Sequence, residues 1–580
     1  MINRYWGEKM KHIDAPSEEP WDASPSGDGN GATRREFLAN LRGATALALA
    51  SGTAAFAAST STLADVPSPG DSRARAQEAF EIREKAALAN RLLRVPTQTP
   101  NRDEQLYSNF IGNYTKGLPH NSIGEVITKD YRTLLSAINA GSFQAFEQVP
   151  LGGNVKQGNP LSGLAFDLEG TDSHQLAIPA APAVASQIRA DEAVELYWMA
   201  LLRDVNFSDY ATNPMAQAAA AELSSFPAFN GPRIGGKVTA QSLFRGFTPD
   251  DLIGPYVSQL NMQPFNYGPY SMTGQMSMYV PGVDYMTTQP AWLAVQNGQG
   301  PFGSNQVDPQ PRFIRNGRDY CMYVHTDPNA GLFISFYNAA IWLFANGAPL
   351  NPGNPYRYYQ KQFGFGTFGF PFFLGMVGEC SRRAFEAAWY QKWFVQRNLR
   401  PEEYGGLVHR SLAHIANYPL HRDVLNSPAV AATFSRFGTY LLPQAFPEGC
   451  PQFPAYPSGH ATMAGACTTL LKAAFDGTVP FTQLTNGKIV MASSDGLSLV
   501  PYTGADASQI TLNGEINKLA SNIAIARNMS GIHWRVDAVY GMLLGEALAL
   551  SILSDQSNNY PGENFDGFTI ERFDGNTVTV

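Results

Sequence analysis

The chain has 580 residues and 63.1 kDa, 44% hydrophobic and 16% charged, which supplies enough apolar side chains for a large core and excludes a disordered chain. A net charge of −8 and a pI of about 5.7 leave no basic excess, so neither nucleic acid nor an anionic membrane is an expected partner. The 9 histidines and 4 cysteines (Cys321, Cys380, Cys450, Cys467) form no CxxC pair and no HExxH, and zinc and dithiol chemistry lose their usual sequence support.

Residues 33–38 read Thr-Arg-Arg-Glu-Phe-Leu, and a weakly apolar run follows from Gly43 to Ala57. That run is too short to cross roughly 30 Å of hydrocarbon as a helix, and it ends in Ala55-Phe56-Ala57, a small-x-small cleavage pattern. It resembles a twin-arginine export signal, which implies removal of residues 1–57 and a periplasmic or extracellular protein. The plainer alternative is a dibasic pair ahead of an arm rich in Pro, Ser and Gly.

Ser72 to Leu93 has the pattern of a helix, and 190–204 is another, with its acids first and Arg203 late, as the helix dipole favours. Between about 225 and 320, Gly, Pro, Asn and aromatics crowd into runs such as MTTQP and NGQGPFGSN. That region reads as long ordered loops, building walls and not core. Further helices are predicted at 331–346, 380–398, 405–417, 459–475 and 515–530, and from Arg535 to about Leu553; no sustained alternating strand run is present. Gly541 and Gly545 in the last helix suit close helix packing, and Arg535, Asp537 and Glu546 argue against a membrane span. The tail 559–580 reads as a surface extension.

Three segments carry the chemistry. In the first, Lys392 and Arg400 stand eight apart on one predicted helix, hence about 80° apart around it, and both can point into one pocket. Trp389 shares the face of Lys392, and Pro401 marks the expected helix end. A Lys and an Arg on a helix are more often a solvated face. The second is Tyr456-Pro457-Ser458-Gly459-His460, opening a helix: free backbone N–H groups and a hydroxyl at the positive end of the dipole make a site for a tetrahedral oxyanion, and Gly459 lets it approach closely. The plain reading is an ordinary Ser N-cap. In the third, Arg527-x5-His533-x3-Asp537 crosses a helix break at Gly531. A neutral His533 can be a nucleophile or metal ligand whose second nitrogen is oriented by a neighbour, Asp537 being one candidate.

In this order the three segments resemble the superfamily of vanadium haloperoxidases and type-2 acid and lipid phosphatases. The seven-residue gap between Lys392 and Arg400, the phrase Lys-Trp-Phe-Val-x-Arg-x-Leu-Arg-Pro-Glu and His325-Thr326-Asp327 are similar to the red-algal bromoperoxidases and their bacterial relatives. The resemblance implies vanadate held on His533, its oxygens bound by Lys392, Arg400, Arg527, Ser458 and the Gly459 N–H, with His460 as acid–base group and no haem. It further implies hydrogen peroxide and a halide as substrates and a homo-oligomer. A trianionic oxyanion in a drier pocket needs fixed cations, of which the resemblance supplies three, and arginine forks match its oxygens.

A phosphatase using His533 as nucleophile is the alternative, since vanadate mimics the phosphoryl-transfer transition state. Against it stand the gap of seven, Trp389, and Ala526 where the phosphatase signature has Ser. A third reading, a non-catalytic oxyanion-binding protein, has no use for both His460 and His533. Trp389, Phe453 and Gln391 are the candidate halide pocket. Bromide and iodide are the expected substrates, with chloride open. Asp327 is the candidate partner of Arg527. The expected fold is all-α, with two four-helix-bundle-like units and long ordered loops around a single site. The domain reading is 1–57 signal, 58–320 helical and loop-rich, 321–580 catalytic.

Overall fold

A computed structural model describes residues 72–301, 303–325, 333–560 and 563–580. The predicted export segment at 1–57 and Asp327, the candidate partner of Arg527, lie outside the described residues. The chain divides into Met1–Glu78 and Ala79–Val580. The first unit contributes the start of the helix Ser72–Leu92, which has no buried residue. The second unit holds the core.

Its centre is a set of helices buried on every side. Each residue of Gly459–Ala474 and of Leu512–Met529 is buried, the condition of a core helix with no solvent face. Gly459–Ala474 packs along the final helix, Arg535–Gln556, which Gly541 and Gly545 allow to come close. A β-carbon at 545 would lie 1.9 Å from the Thr462 carbonyl, and one at 541 would lie 2.8 Å from Ala461 Cβ. The stretch Arg535–Asn559 is long and apolar enough to cross a membrane, yet 67% of its most apolar window is buried inside the protein, which fits close packing between helices. Helices Gln187–Leu201, Ile334–Ala345 and Phe370–Trp389 surround this centre, and one apolar core runs from Ile178 to Phe573. All four cysteines are buried and free.

Three expectations need correction. Lys392 and Arg400 do not share a helix: the α-helix gives way to a π-helix over Tyr390–Gln396, Arg397 turns into the left-handed region at φ 42°, and Arg400 is the N-cap of a new helix, Pro401–Leu412. Pro401 therefore opens a helix, where its missing N–H costs nothing. The 225–320 region is not wall alone, since Leu243, Phe244, Met278 and Trp292 are core residues; it also contains a hairpin, Phe265–Tyr267 with Tyr270–Met272, and a more distant antiparallel pair, Met276–Tyr279 with Val307–Arg312. The tail is no loose extension. It forms a hairpin, Thr569–Glu571 with Thr577–Thr579, that buries Phe568, Ile570 and Phe573. As the lack of any sustained alternating run led one to expect, the strands among the described residues are short and lie in four two-stranded sheets.

Candidate active site

Ser458 caps the Gly459 helix: its backbone is extended at φ −70° and ψ 124°, its Oγ accepts from the Ala461 N–H at 3.4 Å, and its own N–H donates to the Asp537 carbonyl at 3.0 Å. The helix dipole and the first free N–H groups thus face the space beside His460. Lys392 sits in the widened π turn with its Nζ donating to the carbonyls of Pro454 at 2.6 Å and Ala455 at 2.7 Å, which fixes it against the segment leading into Ser458. Arg400 donates from Nε to the Phe453 carbonyl at 2.8 Å and from Nη1 to the Ile532 carbonyl at 2.9 Å, and Nη1 also lies 3.1 Å from His533 Nε2. Arg527 donates from Nη1 to the Val324 carbonyl at 2.8 Å. The break at Gly531, φ 82°, turns the chain from the Leu512–Met529 helix so that His533 meets these cations.

His533 Nδ1 donates to Asp537 Oδ2 at 2.7 Å, one helical turn on, which leaves the lone pair on Nε2. Burial, then Arg400, Lys392 and Arg527, hold the ring well below the usual histidine range, so it is neutral at pH 7. Burial pushes Asp537 up to about 6, with Arg189 and Lys392 pulling the other way. His460 is 7% exposed and is also held well below its ordinary value, by burial and then by Arg527. The cations show the same crowding: burial and Arg400 lower Lys392, and burial and Arg400 bring Arg527 down to about 9.

The fit to an oxyanion rests on unused donors. Among the described residues, the charged side-chain nitrogens of Lys392, Arg400 and Arg527 have no carboxylate within 4.0 Å, unlike the buried pairs Lys116–Glu402 and Arg535–Glu195. Arg400 Nη2 and Arg527 Nε are buried with no hydrogen-bond partner. Unpaired buried cations are costly, and a bound anion relieves that cost. A side chain at Gly459 would press on Trp389 at 3.0 Å and Phe385 at 3.2 Å.

Trp389 and Phe453 form an aromatic wall here, ring centroids 4.6 Å apart, with Lys392 Nζ 5.7 Å and 5.2 Å from the two centres. Gln391 does not join them. Its amide donates to Gln98 Oε1 at 2.9 Å and the Leu176 carbonyl at 3.1 Å, because neighbouring positions of a helical turn face different ways.

The frame behind His533 was missed by reasoning from sequence. Trp534 donates to the Leu399 carbonyl at 3.1 Å and carries the Arg189 guanidinium 4.0 Å above its ring. Arg535 pairs with Glu195 at 2.9 Å, and the Val536 N–H donates to Glu192 Oε1 at 2.8 Å. The one signal for these partners was the unusual set of three acids, Asp191, Glu192 and Glu195, inside the helix Gln187–Leu201.

Fold and pocket together define a helical protein in which buried cations without carboxylate partners surround a neutral, carboxylate-backed histidine. Residues 384–559 match the family described as the VCPO second helical-bundle domain. The chain is 33% identical to a vanadium-dependent bromoperoxidase of Corallina pilulifera, over 88% of this chain and 100% of that protein. It is also 33% identical to one of Ascophyllum nodosum, over 90% and 96%. The homohexameric structure of the second vanadate-dependent bromoperoxidase from Ascophyllum nodosum superposes with a TM-score of 0.83 at 30% identity, covering 90% of this chain and 93% of the other. The chain belongs to the vanadium-dependent bromoperoxidase family.

Proposed function

We propose that this protein is a vanadate-dependent haloperoxidase that oxidises bromide and iodide with hydrogen peroxide. The observation that carries the reading is the convergence of Lys392, Arg400 and Arg527, buried and without carboxylate partners among the described residues, on the neutral His533. His533 Nε2 would hold the vanadate. The unused N–H groups of Arg400 and Arg527, the Lys392 ammonium, the Ser458 hydroxyl and the Gly459 N–H hold the oxygens. Vanadate, when bound, supplies the Lewis acid that activates peroxide.

The chain's own work is positioning and proton transfer. His460, neutral in its buried setting, accepts a proton from incoming peroxide and returns it to the departing water. The overall change, H2O2 + Br− + H+ giving HOBr + H2O, consumes one proton. Lys392 polarises the oxygen that halide attacks, and the Trp389–Phe453 wall strips water from the halide. Freely diffusing hypohalous acid requires no organic acceptor. Export through residues 1–57, a helical and loop-rich 58–320 ahead of a catalytic 321–580, and assembly into a homo-oligomer belong to the same reading.

The test is peroxide-dependent bromination of monochlorodimedone with and without orthovanadate, beside p-nitrophenyl phosphate hydrolysis, with His533→Ala as control. Vanadate-dependent bromination that disappears in the variant is expected. Phosphate release inhibited by vanadate, with no bromination, would move the protein to the phosphatase branch.

A further inference from the structure

Arg527 and His460 share a support on the opposite wall of the pocket. The Val324 carbonyl accepts from Arg527 and also faces His460. Val324 ends the short helix Gly317–Tyr323, at φ −98° and ψ 4°, where a carbonyl is not fixed by its own helix. What fixes it is the next residue. His325, 4% exposed, has both ring nitrogens engaged: Nε2 lies 2.5 Å from Glu448 Oε1, and Nδ1 meets the Tyr279 hydroxyl. A carboxylate only accepts, so Nε2 carries the proton and Nδ1 takes the hydroxyl's. The ring also stacks on Phe446 at 3.8 Å and 8°, and the Arg527 guanidinium lies 5.7 Å from the centre of that same ring.

The two arms of this arrangement are held independently. Tyr279 ends the strand Met276–Tyr279, paired with Val307–Arg312, and the Glu448 carbonyl accepts from the buried Lys116 at 3.0 Å. The loop-rich region thereby reaches the pocket through Tyr279.

We propose that Glu448, His325 and Tyr279 form a latch that positions the Val324 carbonyl, and through it Arg527 and His460, for oxyanion binding and proton transfer. These are positioning residues: none touches the reacting atoms. The proposal rests on the haloperoxidase reading for its kinetic consequence, but its binding consequence stands apart from that reading.

Glu448 is the residue to change, because its side chain is 40% exposed and its loss opens no core cavity. Glu448→Ala removes the acceptor, whereas Glu448→Gln keeps one. Removal of an outer-shell partner costs about 10- to 100-fold in affinity or activity. Inorganic phosphate binding to the vanadate-free protein, measured by calorimetry, is therefore expected to weaken about tenfold or more in Glu448→Ala. The kcat for bromide oxidation should fall with it while the bromide KM stays unchanged, and Glu448→Gln should recover most of both. Wild-type phosphate affinity in Glu448→Ala, or a Gln variant as impaired as the Ala variant, would overturn the proposal. A wild-type protein without vanadate-dependent bromination, whose phosphate affinity still drops in Glu448→Ala and returns in Glu448→Gln, would remove the haloperoxidase reading and keep the latch.

Discussion

Asp537→Asn separates the fold from the site. The carboxylate is fully buried, and its rise from 3.8 to about 6 corresponds to about 3 kcal/mol against the ionised form at pH 7. The sign follows from the raised value: that stability is present below 3.8 and is lost as pH rises through about 6. A neutral amide of the same shape escapes this penalty, so the vanadate-free variant should be at least as stable as the wild type. The site responds in the opposite direction. Asp537 fixes the proton on His533 Nδ1 through a 2.7 Å bond and strengthens the lone pair on Nε2. Loss of the charge leaves the amide oxygen as a neutral acceptor, a bond weaker by about 1–1.5 kcal/mol, equivalent to a roughly 5- to 10-fold weaker hold on vanadate. Urea titration of the vanadate-free proteins and reconstitution of bromination against vanadate concentration measure the two effects. Equal vanadate affinity in variant and wild type would refute the role given to Asp537, and a large loss of stability with no change in affinity would make the pair structural.

Gly545→Val forces a side chain to within 1.9 Å of the Thr462 carbonyl, an overpacking that costs about 1–3 kcal/mol and should lower Tm in calorimetry; an unchanged Tm would contradict the close packing of the two helices. Arg400→Lys keeps the charge but loses the fork and the unused Nη2 donor, so phosphate affinity of the vanadate-free protein should drop at least about tenfold, and equal affinity would deny Arg400 a place at the anion. His460, held well below 6.5 by burial, stays neutral while the unfolded chain takes up a proton, so its contribution is full above 6.5 and is lost as pH falls. From about pH 7.5 to about pH 5.5 the wild type should lose about 1.3 kcal/mol of stability relative to His460→Gln, and parallel urea midpoints in the two proteins would show that His460 is not held neutral.

The core helices were legible because each is long and apolar: 459–475, 515–530 and the final helix from Arg535 match Gly459–Ala474, Leu512–Met529 and Arg535–Gln556 closely. That these side chains meet in one pocket was legible because Ser458-Gly459-His460 and Arg527-x5-His533 keep them at helix ends, where local sequence sets the geometry. The path from Lys392 to Arg400 was not, since nothing in a run of helix-compatible residues announces a π turn followed by a left-handed Arg397. Gln391 was misplaced for the same reason. The pairing of Met276–Tyr279 with Val307–Arg312 and the docking of the tail hairpin, Asn351 to Thr569 for example, rest on distant contacts that no local pattern records. His325 could be suspected but not assigned, because Glu448 lies 123 residues away.

The most direct test of the account is anomalous diffraction at the vanadium edge from crystals soaked in orthovanadate. The account predicts one peak at bonding distance from His533 Nε2, enclosed by Lys392, Arg400, Arg527 and Ser458, and no peak there in His533→Ala. A peak elsewhere, or none at saturating vanadate, would contradict it.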